Sequence, residues 1–237
     1  MGHCGFSPAP IKPERLEELF LFWYRGHFGI QISWDWKTFD EYLRRLEEKK
    51  APVNVSSLVG HGTIRVNVMG TSIEPPTRGE MDEMKALVAQ SMRDGAWGMS
   101  TGLSYSPEME APKTELVELC KVVAAYGGIH VSHIRGENVS VVESTKEVLD
   151  IAQESGCPLQ ISHHVPKFPS WGKSKELLSL EETARDRGLD VTIDDYVGFA
   201  GAPNILYFLP SWFKKDGIKS IVEKLRNTGT RQELRKE

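Results

Sequence analysis

The sequence predicts an α/β domain built from parallel strand–helix units. Helical patterns stop at a glycine four times, at Gly95, Gly127, Gly156 and Gly188, which are 32, 29 and 32 residues apart. A short apolar run follows each of them. Glycine just past a helix takes the left-handed backbone at little cost. Helix, glycine and short buried strand, repeated every 30 residues or so, is the pattern of β/α crossover units. A second regularity lies at the ends of the apolar runs. Tyr105, His133, His163 and Asp194 recur at steps of 28, 30 and 31 residues. One polar side chain therefore falls at the same edge of each successive strand.

Taken in order, residues 1–7 read as the tail of a strand. Residues 13–25 and 37–50 read as helices, because LEELFLFWY and FDEYLRRLEEKK carry apolar residues at helical spacing. Residues 52–59 (PVNVSSLV) read as a strand. His61 stands between glycines in GHGTIR, which suggests a turn near the site or a structural histidine. Helices are predicted over 79–94, 113–126, 140–155 and 174–187, followed by the strands AWGMS, IHVSH, CPLQISH and LDVTID. Residues 216–237 read as a helix with a charged tail, RQELRKE. About six strands result. Right-handed crossovers would place the helices outside the sheet. An open doubly wound sheet and a (β/α) barrel both fit. The lack of a glycine-rich phosphate loop after the first strand argues against a nucleotide-binding sheet.

Composition narrows the function. The 237 residues carry 29 basic and 33 acidic side chains, a net charge of −4. That charge gives no support for nucleic-acid binding. No window approaches 18 uninterrupted apolar residues, so no transmembrane helix is predicted. The start, MGHCGFSPAP, has no apolar signal core. Three cysteines, Cys4, Cys120 and Cys157, are too few and too odd for a disulfide scaffold. They point to a reducing, cytoplasmic setting. Cys120 sits in an amphipathic helix and Cys157 opens a strand, so both read as core. No linker-like tract divides the chain, which reads as a single domain over 1–237.

In such folds chemistry gathers at the carboxyl ends of the strands. Those ends read Ser104-Tyr105, Ser132-His133-Ile134-Arg135-Gly136-Glu137, Ser162-His163-His164 and Asp194-Asp195-Tyr196. Imidazole and thiolate are the donors zinc favours. Histidines from neighbouring strands, roughly 5 Å apart, can share one ion. Cys4 adds a third ligand if residues 1–4 form another strand end; otherwise it is a small buried hydrophobe. Three protein ligands and a water make a catalytic zinc site. A hydrogen-bonded structural role for each histidine is the competing reading. His130 is three positions from His133 and points to the opposite face.

These residues resemble a known family. Cys4-Gly5-Phe6-Ser7-Pro8-Ala9-Pro10, Gly60-His61-Gly62-Thr63-Ile64-Arg65, Gly98-Met99-Ser100-Thr101-Gly102-Leu103-Ser104-Tyr105, Ser132-His133-Ile134-Arg135, Ile161-Ser162-His163-His164, Trp171-Gly172 and Asp190-Val191-Thr192-Ile193-Asp194-Asp195-Tyr196 resemble the N-acyl-D-amino-acid deacylases of the metal-dependent amidohydrolase superfamily. The resemblance spans residues 1 to about 215. It implies an incomplete (β/α) TIM-type barrel and one tightly bound zinc held by Cys4, His133 and His163, rather than His164. It implies that Tyr105 and Tyr196 contact substrate and that Arg135 lies close to the metal, orienting a ligand or pairing with an anion. The implied reaction is hydrolysis of an N-acyl-D-amino acid to a carboxylate and a D-amino acid.

The departures shape the expectation further. The family has a small β-sandwich and a His-x-His on its first barrel strand; neither is found in this sequence. The family's general-base aspartate is expected beyond Glu237, and Asp194 and Asp195 lie on a different strand. Val165 stands where the family often has lysine, with Lys167 two residues later, and Val197 replaces a proline. The expectation is a zinc-binding portion of a deacylase barrel whose open sheet edges could support self-association. A non-catalytic binding protein is the competing class. N-acyl-D-glutamate and cyclic amides are the alternative substrates.

Overall fold

The computed structural model describes residues 1–23, 34–195, 209–214 and 217–236. Its centre is a five-stranded parallel sheet: β1 (Val59–Gly60), β2 (Gly98–Gly102), β3 (Ile129–His133), β4 (Leu159–Ile161) and β5 (Val191–Ile193). The strands lie side by side in chain order, β1-β2-β3-β4-β5. A doubly wound sheet reverses direction after its first strand. This sheet does not, so the barrel-type progression is the one adopted. Gly102 aligns with His133 across β2 and β3, while Ser132, Ile161 and Ile193 align across β3, β4 and β5.

Ten helices are described: α1 (Leu16–Trp23), α2 (Phe39–Glu48), α3 (His61–Met69), α4 (Arg78–Arg93), α5 (Lys113–Ala125), α6 (Val141–Ser155), α7 (Ser174–Asp186), α8 (Ser211–Lys214), α9 (Gly217–Arg226) and α10 (Thr228–Leu234). The four glycines predicted to close helices all have positive φ: Gly95 at 108°, Gly127 at 70°, Gly156 at 69° and Gly188 at 89°. At the other end of α4, Thr77 and Glu80 form a capping box. Each satisfies a backbone N–H that the first turn leaves free. The apolar stripes of α4 to α7 close over the sheet. Met84, Val88, Leu116, Leu119, Val148 and Ile151 form one buried cluster with Met99, Leu159, Ile161 and Val191 of the strands.

Four expectations change. About six strands were predicted and five are described, because residues 1–7 form no ladder. Gly2, Cys4 and Gly5 have φ of 83°, 55° and 78°, which turns the chain out of the extended conformation a strand requires. The segment is tied down by single bonds: Leu58 N–H donates to Met1 O at 2.9 Å, and Ser100 Oγ donates to Gly2 O. The strand predicted over 52–59 contracts to Val59–Gly60, since residues 51–56 are exposed and only Val59 of the predicted run, with Gly60 after it, pairs with β2. The turn expected at His61 is the start of α3. The sequence HGTIRVNVM is poor in strong helix formers. All nine residues are buried, so tertiary packing makes the helix. The single helix predicted after residue 216 is two, α9 and α10. Among the described residues, no helix is long and apolar enough to cross a membrane.

Candidate metal centre

Three side chains from distant parts of the chain meet at the carboxyl edge of the sheet. Cys4 Sγ lies 3.6 Å from His163 Nε2, and His133 Nδ1 lies 2.9 Å from the same atom. One donor atom from each residue falls within 4.8 Å of the others, so the three could share one ion. His133 is the last residue of β3 and His163 sits just beyond β4, so each is delivered by its own strand end. Cys4 arrives from the segment tied to β1 and β2. Only three non-glycine residues among those described have positive φ, and Cys4 (55°) and His163 (41°) are two of them. Such backbone persists where the surroundings over-determine it, which is common at functional sites.

The ring tautomers follow from the partners. Ser104 Oγ donates its one proton to Ile134 O at 3.0 Å. It therefore accepts at 2.8 Å from His133 Nε2–H. That leaves the lone pair of His133 on Nδ1, aimed into the cluster. Burial lowers the pKa of His133 to about 4, with Glu137 opposing and His163 adding to the shift. The ring is thus neutral, as a ligand must be. On the other side, His163 Nδ1 lies 2.7 Å from Glu137 Oε1, which favours a lone pair on Nε2. Glu137 is itself buried and paired with Lys167. Burial opposes its ionisation, yet His163, His133 and Lys167 hold its pKa down at about 2. Burial lowers the pKa of His163, but bonds to Cys4 and Glu137 outweigh it and raise it to about 10. Asp194 Oδ1 accepts the His163 backbone N–H at 2.6 Å, and Gln160 Nε2 donates to its other oxygen at 2.7 Å.

The remaining predicted residues divide. Tyr105 joins the cluster, its ring centroid 4.9 Å from that of His133. Arg135 does not. Its guanidinium bonds Glu147 of α6 at 2.9 Å and the carbonyls of Met109 and Ala111. That geometry ties the strand-end loop to α6 and gives no support to Arg135 as a substrate contact. Tyr196 lies outside the described residues. His164 turns away from the cluster, with Nε2 2.8 Å from Glu181. His130 is fully buried against Thr101 Oγ1 at 3.0 Å, and burial lowers its pKa to about 3. His61 stands in a buried ion network with Glu108 and Glu115. Cys120 and Cys157 are buried free thiols.

A Cys–His–His set at parallel strand ends is a feature that can be compared across proteins. Residues 18–234 match the model of the amidohydrolase family. The chain belongs to the amidohydrolase family. Among curated relatives of this amidohydrolase, the N-acyl-D-glutamate deacylase of Alcaligenes xylosoxydans xylosoxydans is 35% identical over 209 residues, 87% of this chain and 41% of the relative. The D-aminoacylase of the same organism is 36% identical over 206 residues, 85% and 40%. The chain thus spans about two fifths of the length of these relatives. A crystal structure of D-aminoacylase superposes with a TM-score of 0.72 at 33% identity, over 85% of this chain and 41% of that one. N-acyl-D-glutamate deacylase from Bordetella bronchiseptica, complexed with zinc and a phosphonate mimic of the tetrahedral intermediate, gives 0.74 at 33%, over 83% and 40%. The amidohydrolase fold of this chain is therefore the TIM-type barrel arrangement, of which its sheet forms part.

Reading the sequence alone placed Ser104, Glu137 and Asp194 at the strand ends but missed that they hold the donors. Ser104, Glu137 and Asp194 stand in the same strand-end loops as the histidines. The signal available was position: polar residues within a few places of a predicted strand end.

Proposed function

We propose that this chain provides the zinc site of a hydrolase that cleaves the amide bond of N-acyl-D-amino acids. One observation carries the reading. Cys4 Sγ, His133 Nδ1 and His163 Nε2 converge, with the His133 lone pair turned inward by Ser104 and His163 Nδ1 held against Glu137. A borderline-soft donor set of this kind suits zinc over magnesium or calcium. Three protein ligands leave a position open for water or substrate.

Bound zinc would polarise the amide carbonyl and acidify a water near neutral pH. The chain's own residues prepare that step. Ser104 and Glu137 fix the two rings so that no reorientation is needed. Tyr105, its ring tilted against that of His133, offers a hydroxyl to the acyl oxygen or the carboxylate of the substrate, and Tyr196 is assigned the same kind of contact. The part of the reaction these residues prepare is metal and carbonyl activation. The three free thiols support a reducing compartment for the protein. Among the described residues β1 and β5 each pair with one strand only, which supports self-association at those edges.

Metal content of the purified chain tests the reading. The expected result is about one zinc per chain, lost in both Cys4→Ser and His163→Ala. A folded chain that takes up no zinc would overturn it.

A further inference from the structure

A buried ion network links α3 to the segment that carries Cys4. His61 Nδ1 lies 2.9 Å from Glu108 Oε2, and His61 Nε2 lies 2.7 Å from Glu115 Oε1. Arg65 Nη1 donates to the other oxygen of Glu115. All four side chains are fully buried. The net charge cancels if both cations are protonated and both carboxylates ionised. Such a network seldom repays its desolvation in stability alone. Its geometry shows what else it does.

Glu108 approaches the Cys4–His133–His163 cluster through two of its neighbours. Its Oε2 also accepts the backbone N–H of Gly102 at 2.9 Å. Gly102 ends β2, two residues before Ser104, which orients His133. The carboxylate also presses on Gly5, the neighbour of Cys4, so closely that a Cβ added at Gly5 would overlap it. A Cβ at Gly102 would likewise overlap Cys4 O. From the far side, Thr63 N–H donates to Gly5 O at 3.2 Å. The Cys4–Gly5 peptide is thus clamped between the end of β2, the Glu108 carboxylate and the first turn of α3.

We infer that Glu108 is a positioning residue: held by His61 Nδ1, it fixes the Cys4–Gly5 turn against Gly102 and so aims the Cys4 thiol at His163. The inference rests on the zinc reading above and adds to it the residue that sets the thiolate's place.

Cobalt(II) is the probe, because its thiolate charge-transfer band reports the Cys4–metal bond directly. Wild type, Glu108→Gln and Glu115→Gln are compared for cobalt affinity, by chelator competition, and for band intensity. Glu115 belongs to the same buried network but does not touch the turn. Glu108→Gln is expected to lose about 10- to 100-fold in affinity, the usual effect of removing a partner outside the ligand set, and to show a weakened band. Glu115→Gln is expected to lose thermal stability and keep the wild-type spectrum. Wild-type affinity in Glu108→Gln, or equal losses in both variants, overturns the inference. If Glu108→Gln does not fold, His61→Gln replaces it with the same expected direction.

A wild-type chain without a thiolate band, or one whose band survives Cys4→Ser, sinks the zinc reading instead. The alkylation rate of Cys4 by iodoacetamide in the metal-free chain then decides the positioning role, since the other two cysteines are buried. Faster alkylation in Glu108→Gln than in wild type and Glu115→Gln supports it. Equal rates in all three reject it.

Discussion

His163 Nδ1 lies 2.7 Å from a carboxylate oxygen of Glu137, a residue of the turn that follows the neighbouring strand. The pair joins the end of β4 to the loop after β3. It gives His163 a partner on each side of the ring, the Glu137 carboxylate at Nδ1 and the Cys4 sulfur at Nε2. A carboxylate behind a ligating imidazole fixes its tautomer and raises its basicity.

Glu137→Gln tests that partnership. The amide keeps the size of the side chain and removes the charge that faces both His163 and Lys167. Zinc affinity is expected to fall about 10- to 100-fold, with the far-ultraviolet circular dichroism unchanged. Chelator competition measures it. An affinity equal to wild type would show that the His163 ring is held by packing alone.

The strand–helix alternation could be read from the sequence because it is written locally. A glycine at positive φ closes each of α4 to α7, and the predicted ends fall within one or two residues of the observed ones. The cluster was half legible. His133 and His163 announce themselves at matched strand ends, but Cys4 has no local signal, and its place depends on contacts with residues about 60 to 100 positions away. α3 was illegible for the opposite reason. Its β-branched residues and Gly62 disfavour a helix, and burial on every side overrules them. Arg135 shows the limit of motif reading: it follows the strand-end His133 by two residues, but its guanidinium bonds Glu147 of α6.

Gly102→Ala probes the close approach of two backbone segments. A methyl group there would overlap Cys4 O and crowd the Tyr105 ring. Neither the carbonyl nor the ring can yield without moving the cluster. Zinc binding is expected to drop at least tenfold, which is about 1.4 kcal/mol, while the helices persist. Zinc titration of the folded variant reads this directly, and a wild-type isotherm would mean that the Cys4 turn is free to shift.

Thr77→Ala removes the cap of α4. The hydroxyl accepts from Glu80 N–H at 3.3 Å, and the Glu80 carboxylate bonds back to Thr77 N–H at 2.7 Å. α4 has 16 residues and packs on α3 and α5. Losing the cap is expected to cost about 1 kcal/mol. The bonds of the cap run between Thr77 and Glu80 and reach none of Cys4, His133 and His163, so zinc affinity is expected not to change. A lower urea midpoint with an unaltered zinc titration is the expected pair of results.

The His61 network makes stability depend on pH, and the direction can be worked out. Burial opposes the charged form of His61, but Glu108 and Glu115 outweigh it and raise its pKa from 6.5 to about 9. The folded state therefore holds this proton more tightly than the unfolded chain does. Its contribution, on the order of 3 kcal/mol by linkage, is fully present below the unfolded value of 6.5 and is lost as pH rises through about 9. Glu115 works in the opposite sense. Burial raises its pKa, but His61 and Arg65 outweigh this and lower it below 4.5. Its contribution is present above that value and lost as pH falls through the depressed one. Stability from this network should thus peak between the ordinary carboxylate and histidine ranges and decline toward alkaline pH. Urea midpoints across that range, in wild type and in His61→Gln, check it. The wild-type midpoint should fall between about pH 6.5 and 9, and the variant, lower throughout, should lose that slope. A slope that survives in His61→Gln would assign the titration to another group.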